Sequence, residues 1–199
     1  TACIKAKQLG LSVRLVEENL IGGTCLNRGC IPTKSFIQTA KTLSLIKKSQ
    51  KFGIKAAIPE IDVAIMVERK NQIVSQLRAA MEAGVKGIDV IAGRATLVGS
   101  NEVLVGAQRL ESKYILIASG SIPQELSVLP FDHQKILSSD DILNLKEIPR
   151  AILIVGGGVI GCEFASFFNA LKSAVTVVEK MDSLLPGEDA EISRKLGVV

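Results

Sequence analysis

The chain has 199 residues, of which 47% are hydrophobic and 22% are charged, and its formal net charge at pH 7 is +4. This share of apolar side chains is enough for a buried core and excludes a disordered chain. Aromatic residues make up only 4% and the basic residues are scattered, which argues against a dedicated nucleic-acid-binding surface. No apolar run reaches the roughly 18 residues that span a membrane.

The first elements along the chain are a predicted helix and a predicted strand. Residues 1–9 have helical spacing and stop at Gly10, a natural end for a helix. Residues 11–16 then alternate as a strand does, and the strand ends at Glu17. A helix, a glycine, a strand and a terminal acid form the second half of a βαβ unit.

Two longer helices and several short strands are predicted next. A glycine-rich loop over residues 22–32 enters the first of these helices, and Pro32 suits its first turn. A hairpin-type turn is predicted at residues 99–101. The other predicted elements here are helices over residues 32–48 and 62–83 and strands over residues 89–92, 95–98, 102–105 and 113–118.

A second βαβ unit is predicted after a linker that is rich in Pro, Ser and Asp and runs from Ser121 to about Pro149. Its parts are a buried strand over residues 151–155, a glycine turn over residues 156–161, a helix over residues 162–171 and a strand over residues 174–178 that ends at Glu179.

Cys25 and Cys30 form the first chemical constellation. Residues five apart in a regular helix have Cα atoms about 8–9 Å apart, whereas a disulfide needs about 4.4–6.8 Å. If the two bond, the helix must therefore be irregular there, and Gly29 before Cys30 and Pro32 after it supply the irregularity. A disulfide across so short a loop adds little stability, which favours a redox role. From spacing alone, two thiols in a glycine loop remain the alternative.

Gly156, Gly158 and Gly161 form the second constellation, a G-x-G-x-x-G turn directly after a strand and at the start of a helix. These glycines permit a tight turn, close approach of the backbone to a pyrophosphate, and close helix–strand packing. Glu179, 18 residues beyond Gly161, can accept hydrogen bonds from ribose hydroxyls and repel a 2′-phosphate. The turn therefore predicts NAD binding in preference to NADP.

Three segments carry a resemblance to a known family. Residues 22–34 read Gly-Gly-Thr-Cys-Leu-Asn-Arg-Gly-Cys-Ile-Pro-Thr-Lys, which resembles the redox-disulfide signature of the flavin-dependent pyridine-nucleotide disulfide oxidoreductases. Residues 114–123 resemble the family's segment between its FAD and NAD domains, with Ser119 in place of the usual threonine, and residues 156–163 resemble its NAD turn. Within the family, Leu26-Asn27, residues 31–34 and Glu179 are most similar to the dihydrolipoyl dehydrogenase branch.

The resemblance implies an α/β fold with two Rossmann-like dinucleotide-binding domains. These are an FAD-binding domain over residues 1–122 and an NAD-binding domain over residues 150–199, joined by a linker over residues 123–149. We expect the first strand and glycine-rich turn of the FAD domain, the rest of the NAD domain and the C-terminal dimerisation domain to lie outside the 199 residues. The fragment alone is then expected to be inactive.

The resemblance also implies roles for individual residues. Cys25 is the thiol that exchanges with the substrate, and Cys30 is the thiolate that lies against the flavin. Lys34 is expected near the flavin and paired with Glu163. No metal site is expected. The FAD-binding residues implied are Glu17, Gly22, Gly23, Thr24, Lys34, Ala95, Ser119, Gly120 and Ser121. The NAD-binding residues implied are Gly156, Gly157, Gly158, Val159, Ile160, Gly161, Glu163 and Glu179.

The activity implied is FAD-dependent oxidation of protein-bound dihydrolipoamide with reduction of NAD. The implied partners are lipoyl domains of 2-oxoacid dehydrogenase complexes or of a glycine cleavage system, and a second subunit in a homodimer. Another flavin disulfide reductase, such as a mercuric or glutathione reductase, and a non-catalytic nucleotide-binding module remain alternatives. The expected location is the bacterial cytoplasm, with the mitochondrial matrix as the alternative. His133 is expected to be a surface loop residue, and Cys3 and Cys162 to be small packing residues.

Overall fold

The computed structural model describes residues 1–57 and 59–197, which form a mixed α/β structure. Its helices are α1 (Ala2–Gln8), α2 (Gly23–Arg28), α3 (Cys30–Lys47), α4 (Val63–Gly84), α5 (Ser139–Ile142), α6 (Val159–Ala170) and α7 (Ala190–Leu196), with a 3-10 turn at Ser49–Phe52. Its strands are β1 (Arg14–Glu17), β2 (Asp89–Ala92), β3 (Ala95–Gly99), β4 (Glu102–Val105), β5 (Gln108–Glu111), β6 (Ala151–Val155) and β7 (Ala174–Val178).

The contacts divide the chain into two compact units. The first contains Thr1–Gly29 and Ile73–Ile122, and the second contains Cys30–Gln72 and Pro123–Val199. In the first unit β1 pairs with β2 in parallel, with Arg14 opposite Asp89. The same unit holds a three-stranded antiparallel sheet in the order β3-β4-β5. Glu17 therefore ends its strand at the carboxyl edge of a parallel pair.

The second unit is built on the parallel pair β6–β7 and the helix α6 that connects them. Alternate residues of both strands are partly buried, and Ile152, Ile154 and Val175 pack against the core. Aromatic contacts join α3 to α6, since the Phe36 ring stacks on that of Phe167 at 5.4 Å between centroids. The buried residues of this core are Phe36, Ala40, Met66, Ile142, Leu143, Phe164, Phe167 and Phe168.

Most of the predicted elements are confirmed, but the strand predicted over residues 113–118 is wrong. Residues 112–125 have no regular structure, and Leu116 and Ile117 are exposed. The third strand of the hairpin sheet is instead β5, which follows a turn at Gly106 with φ +59°. Asn101 closes the end of that sheet, because its Nδ2 donates to the carbonyl oxygens of Ser112 (2.9 Å) and Lys113 (3.0 Å).

Two helices lie where loop or linker was predicted, and a third lies beyond the last predicted strand. The first is α2, inside the predicted loop over residues 22–32. The second is α5, inside the predicted linker, where Ser138 and Asp141 form a capping box. The third is α7, whose first turn is capped by the Asp189 carboxylate. Short helices carry too little periodicity to be recognised without their caps.

The longest helix, α4, has 22 residues. Within residues 1–57 and 59–197, neither it nor any other helix is sufficiently long and apolar to cross a bilayer.

Candidate functional site

Cys25 and Cys30 lie on two successive helices with a break between them. Cys25 belongs to α2 and Cys30 is the first residue of α3, and both are exposed thiols. Gly29 interrupts the helix with φ −130° and ψ −117°. A Cβ at this position would lie 3.0 Å from both the Cys25 Cα and the Thr24 carbonyl oxygen, so the close turn needs glycine. The predicted irregularity between the cysteines is confirmed.

The turn that precedes Cys25 meets a distant part of the first unit. The Thr24 hydroxyl lies 3.5 Å from both the amide nitrogen and the carbonyl oxygen of Ser121. Gly120 has φ +73°, and a Cβ there would lie only 2.7 Å from Thr24 Oγ1. Gly22 and Gly23 also have positive φ, and a Cβ on Gly23 would face open space. The structure therefore brings together residues 22–24 and residues 120–121, which the sequence assigned to one cofactor.

Glu17 and Ala95 both lie next to β2. Glu17 ends β1, the strand that pairs with β2, and Ala95 lies in the strand that follows β2 along the chain. The Glu17 carboxylate accepts a hydrogen bond from the Asn19 amide at 3.0 Å, and its carbonyl accepts one from the Gly93 amide at 2.9 Å. Ala95 is exposed and begins β3, opposite Val105. Ser119, the remaining residue of this set, lies exposed in the irregular segment beside Gly120.

Lys34 and Glu163 form an ion pair within the second unit. The pair lies where α3 packs on α6, since Phe36, two residues after Lys34, stacks on Phe167, four residues after Glu163. The Lys34 side chain is 57% exposed, whereas the Glu163 side chain is 25% exposed. Arg69 of α4 fixes the neighbouring turn of α3, since its Nη1 donates to the Ser35 hydroxyl at 2.9 Å.

The glycine turn connects β6 to α6 as predicted. Gly156 has φ +110°, and its amide donates to the Val178 carbonyl at 2.8 Å. A Cβ on Gly156 or Gly158 would meet no atom within 4 Å, whereas a Cβ on Gly161 would overlap the Gly156 carbonyl oxygen. Two glycines therefore leave the backbone open to a ligand, and the third allows the helix to approach the strand. Val159 and Ile160, at the start of α6, are exposed.

The Glu179 carboxylate reaches this turn from the end of β7. It accepts hydrogen bonds from the Met181 amide at 2.8 Å and from the Gly157 amide at 2.6 Å. Hydrogen bonds from the Met181 and Gly157 amides lower the pKa of Glu179, because they favour its charged form. The turn thus carries the negative charge of Glu179 beside Gly157.

Cys162, Cys3 and His133 lie apart from the cysteine segment in the sequence. The Cys162 thiol donates to the Gly157 carbonyl at 3.2 Å, and burial, together with the charge of Glu179, raises the pKa of that thiol. Cys3 is partly buried in α1. His133 is an exposed loop residue, as predicted, and its Nδ1 lies 3.0 Å from the Asp141 carboxylate.

The sequence interpretation missed the contacts of Asn27, which stands between the two cysteines. Its Nδ2 donates to three backbone carbonyls, those of Leu20 (3.3 Å), Ile21 (3.2 Å) and Gly23 (3.1 Å). Asparagine amides bond readily to nearby backbone, but no pattern in the sequence shows which carbonyls this one meets.

Comparison with known proteins identifies relatives along almost the whole chain. Residues 1–197 match the family described as pyridine nucleotide-disulphide oxidoreductase. A dihydrolipoyl dehydrogenase of Bacillus subtilis is 44% identical over 201 residues, which cover 97% of this chain and 44% of that protein. A dihydrolipoyl dehydrogenase of Halobacterium salinarum is 38% identical over 202 residues, which cover 97% of this chain and 42% of that protein.

Solved structures also resemble almost the whole chain. LpdA from Mycobacterium tuberculosis superposes with a TM-score of 0.86 at 26% identity, over 98% of this chain and 44% of that protein. The HOCl-induced flavoprotein disulfide reductase RclA from Escherichia coli has a TM-score of 0.75 at 29% identity, over 98% of this chain and 43% of that protein. The chain thus spans less than half the length of these relatives. It belongs to the pyridine nucleotide-disulphide oxidoreductase family.

Proposed function

We propose that the protein is a dihydrolipoyl dehydrogenase, which oxidises a dihydrolipoamide dithiol and reduces NAD. The observation that carries the proposal is the cysteine segment, in which Gly29 breaks the helix between two exposed thiols, Cys25 and Cys30. Relatives at 36–44% identity that bear the name dihydrolipoyl dehydrogenase support the choice of substrate. A dithiol substrate suits a pair of protein cysteines, because both can exchange two electrons by thiol–disulfide chemistry.

The residues present fit the two cofactors of this reaction. At the glycine turn, the open space above Gly156 and Gly158 leaves room for a diphosphate against the backbone and the start of α6. In the first unit, the proposed FAD-binding residues include Glu17 at the end of β1 and the turn at residues 22–24 that meets residues 120–121. When bound, FAD and NAD supply the hydride chemistry that carries the two electrons onward.

The two cysteines exchange with the substrate in two steps. One substrate thiolate attacks the sulfur of Cys25, so the Cys25–Cys30 bond breaks and a substrate–Cys25 disulfide forms, with Cys30 leaving as thiolate. The second substrate thiolate then attacks the substrate sulfur that is bonded to Cys25 and displaces the Cys25 thiolate. The substrate leaves as a disulfide, and the protein pair has gained the two electrons that the substrate lost. Cys30 is the residue proposed to pass these electrons on.

Charged residues complete the proposed roles. Lys34 is held by Glu163 in the second unit, which fixes the direction of its ammonium group. Glu179 is held by two backbone amides and carries its charge beside Gly157. That charge favours ribose hydroxyls and disfavours a 2′-phosphate, which supports NAD in preference to NADP.

The proposed partners follow from the proposed substrate. They are lipoyl domains of 2-oxoacid dehydrogenase complexes or of a glycine cleavage system, and a second copy of the protein in a homodimer. The proposed location is the bacterial cytoplasm, which the bacterial relatives support.

The test combines a spectrum with a substrate assay on the purified full-length protein, because the 199 residues alone are expected to be inactive. We expect the spectrum of oxidised flavin, a new long-wavelength band after anaerobic NADH, and NAD reduction by dihydrolipoamide. Cys25→Ser should abolish dihydrolipoamide oxidation, whereas Cys3→Ser, the matched control in α1, should retain it. Flavin reduction without the band would refute the coupling of the cysteines to the flavin. Turnover with another disulfide but not with dihydrolipoamide would refute the substrate.

A further inference from the structure

We propose that Asn27 is a positioning residue for Cys25, holding the glycine turn and the short helix α2 in one arrangement. This inference rests on the proposed function, because it assigns Asn27 a part in the redox behaviour of the Cys25–Cys30 pair. All of its contacts lie within the first unit.

The side-chain amide of Asn27 joins α2 to the chain that enters it. Its Nδ2 lies 3.3 Å from the Leu20 carbonyl oxygen, 3.2 Å from that of Ile21 and 3.1 Å from that of Gly23. These carbonyls belong to the segment immediately before Cys25. The amide therefore connects both sides of the sharp bend at Gly22, whose φ is +118°.

The opposite end of the amide is held by α4. Arg78 Nη1 donates to Asn27 Oδ1 at 3.5 Å, and Arg78 Nε also faces the Glu82 carboxylate at 3.9 Å. With a donor at its oxygen and acceptors at its nitrogen, the amide has one favourable orientation. Asn27 is thus both a donor to the turn and an acceptor from a long helix.

Helix α2 needs such a clamp because it is too short to be stable by itself. It has only six residues, and its N-cap residue, Gly22, provides no side-chain hydrogen bond. Isolated helices shorter than about 12 residues are marginal in water. The cap therefore offers no side-chain acceptor to the first amides of α2, and the Asn27 amide holds the helix in another way, by donating to carbonyls of the segment before it. The position of Cys25 in the first turn of α2 therefore depends on Asn27.

A fixed position of Cys25 affects the thiol–disulfide equilibrium. Loosening α2 lowers the effective concentration of one cysteine at the other, which disfavours the disulfide relative to the dithiol. Of the three Asn27 bonds, the one to the Ile21 carbonyl is partly buried. Loss of such a hydrogen bond typically changes a local equilibrium about fivefold. A fivefold shift in the redox equilibrium corresponds to about 20 mV.

The test compares Asn27→Asp with a matched control, Asn101→Asp, in the purified protein. Both substitutions keep the shape of the side chain and remove the same donor from a clamp on backbone carbonyls, since Asn101 donates to the Ser112 and Lys113 carbonyls. Each protein is equilibrated with reduced and oxidised dithiothreitol. In this exchange, reduced dithiothreitol gives two electrons and two protons to the Cys25–Cys30 bond, which breaks, and dithiothreitol closes to its cyclic disulfide. The disulfide fraction is measured by alkylation and mass spectrometry.

We expect Asn27→Asp to shift the equilibrium toward the dithiol by about fivefold and Asn101→Asp by less than about twofold. Amide exchange over residues 20–28 should rise in the first variant only. Asn27→Ser, whose hydroxyl can still bond the carbonyl four residues earlier, should give an intermediate shift and serves if Asn27→Asp does not fold.

Three results would overturn the inference. An unchanged redox equilibrium in Asn27→Asp and Asn27→Ser would remove the positioning role. An equal shift in Asn101→Asp would show that the effect is a general loss of stability. A wild-type protein that forms no Cys25–Cys30 disulfide at any ratio of oxidised to reduced dithiothreitol would refute the proposed function itself, together with this inference. The last result differs from the first two because it appears without any substitution.

Discussion

The glycine turn offers a sharp test, because Gly158 and Gly161 are glycines for different physical reasons. A Cβ on Gly161 would overlap the Gly156 carbonyl oxygen, which is a backbone atom and cannot rotate away. A Cβ on Gly158 would meet no atom within 4 Å, and its φ of −72° suits any residue. Gly161→Ala is therefore expected to damage the fold, and Gly158→Ala is expected to damage only ligand binding.

The expected magnitudes follow from these contacts. Forcing a methyl group against the backbone costs about 3 kcal/mol, and the better helix propensity of alanine offsets about 1 kcal/mol, so Gly161→Ala should lose about 2 kcal/mol of stability. At Gly158, the loss of unfolded-chain entropy favours alanine, while the poorer N-cap disfavours it. The free energy of unfolding should therefore stay within about 1 kcal/mol of wild type. The added methyl group would instead occupy the space proposed for the diphosphate.

Urea unfolding and NADH titration separate the two effects. Gly158→Ala should unfold close to wild type and bind NADH at least about tenfold more weakly, which is about 1.4 kcal/mol. Gly161→Ala should lose both stability and binding. The reasoning would be refuted if Gly158→Ala bound NADH normally, or if the two variants were equally destabilised.

Three further predictions concern the second unit. Phe167→Ala should lower the free energy of unfolding in urea by about 3–5 kcal/mol, because its ring is 1% exposed. Glu179→Gln should reduce the preference for NADH over NADPH about tenfold in KM measurements, since it removes the charge that disfavours a 2′-phosphate. Burial raises the pKa of Asp141, but hydrogen bonds from Ser138 and the pairing with His133 outweigh it, so the net pKa is lowered. A lowered pKa stabilises the fold above the unfolded value of 3.8, and this stabilisation is lost as pH falls through the lower folded value. The difference in melting temperature between wild type and Asp141→Asn should therefore be full near neutral pH and disappear in strong acid.

Sequence patterns predicted the elements that have strong periodicity or strong punctuation. The helices α3 and α4 and the strands β6 and β7 carry enough apolar residues at regular spacing to be recognised. The glycine turn is likewise a local feature, since its strand, its glycines and its terminal acid follow one another in the chain. The strand predicted over residues 113–118 failed for the opposite reason. An apolar run becomes a strand only when another strand pairs with it, and a local pattern cannot supply that neighbour.

The contacts that hold the cysteine segment lie partly beyond such local patterns. Gly29 could be predicted to break the helix, because only a break lets two cysteines at this spacing meet. The clamp by Asn27 could not, since it depends on how the carbonyl groups of Leu20, Ile21 and Gly23 turn at a bend and on an arginine 51 positions away. Gly29 acts at the end of the short helix α2, and the Asn27 bonds act on the segment before its start. The motif therefore supplies the reacting thiols, and the structure adds the polar contacts that decide how firmly Cys25 is held.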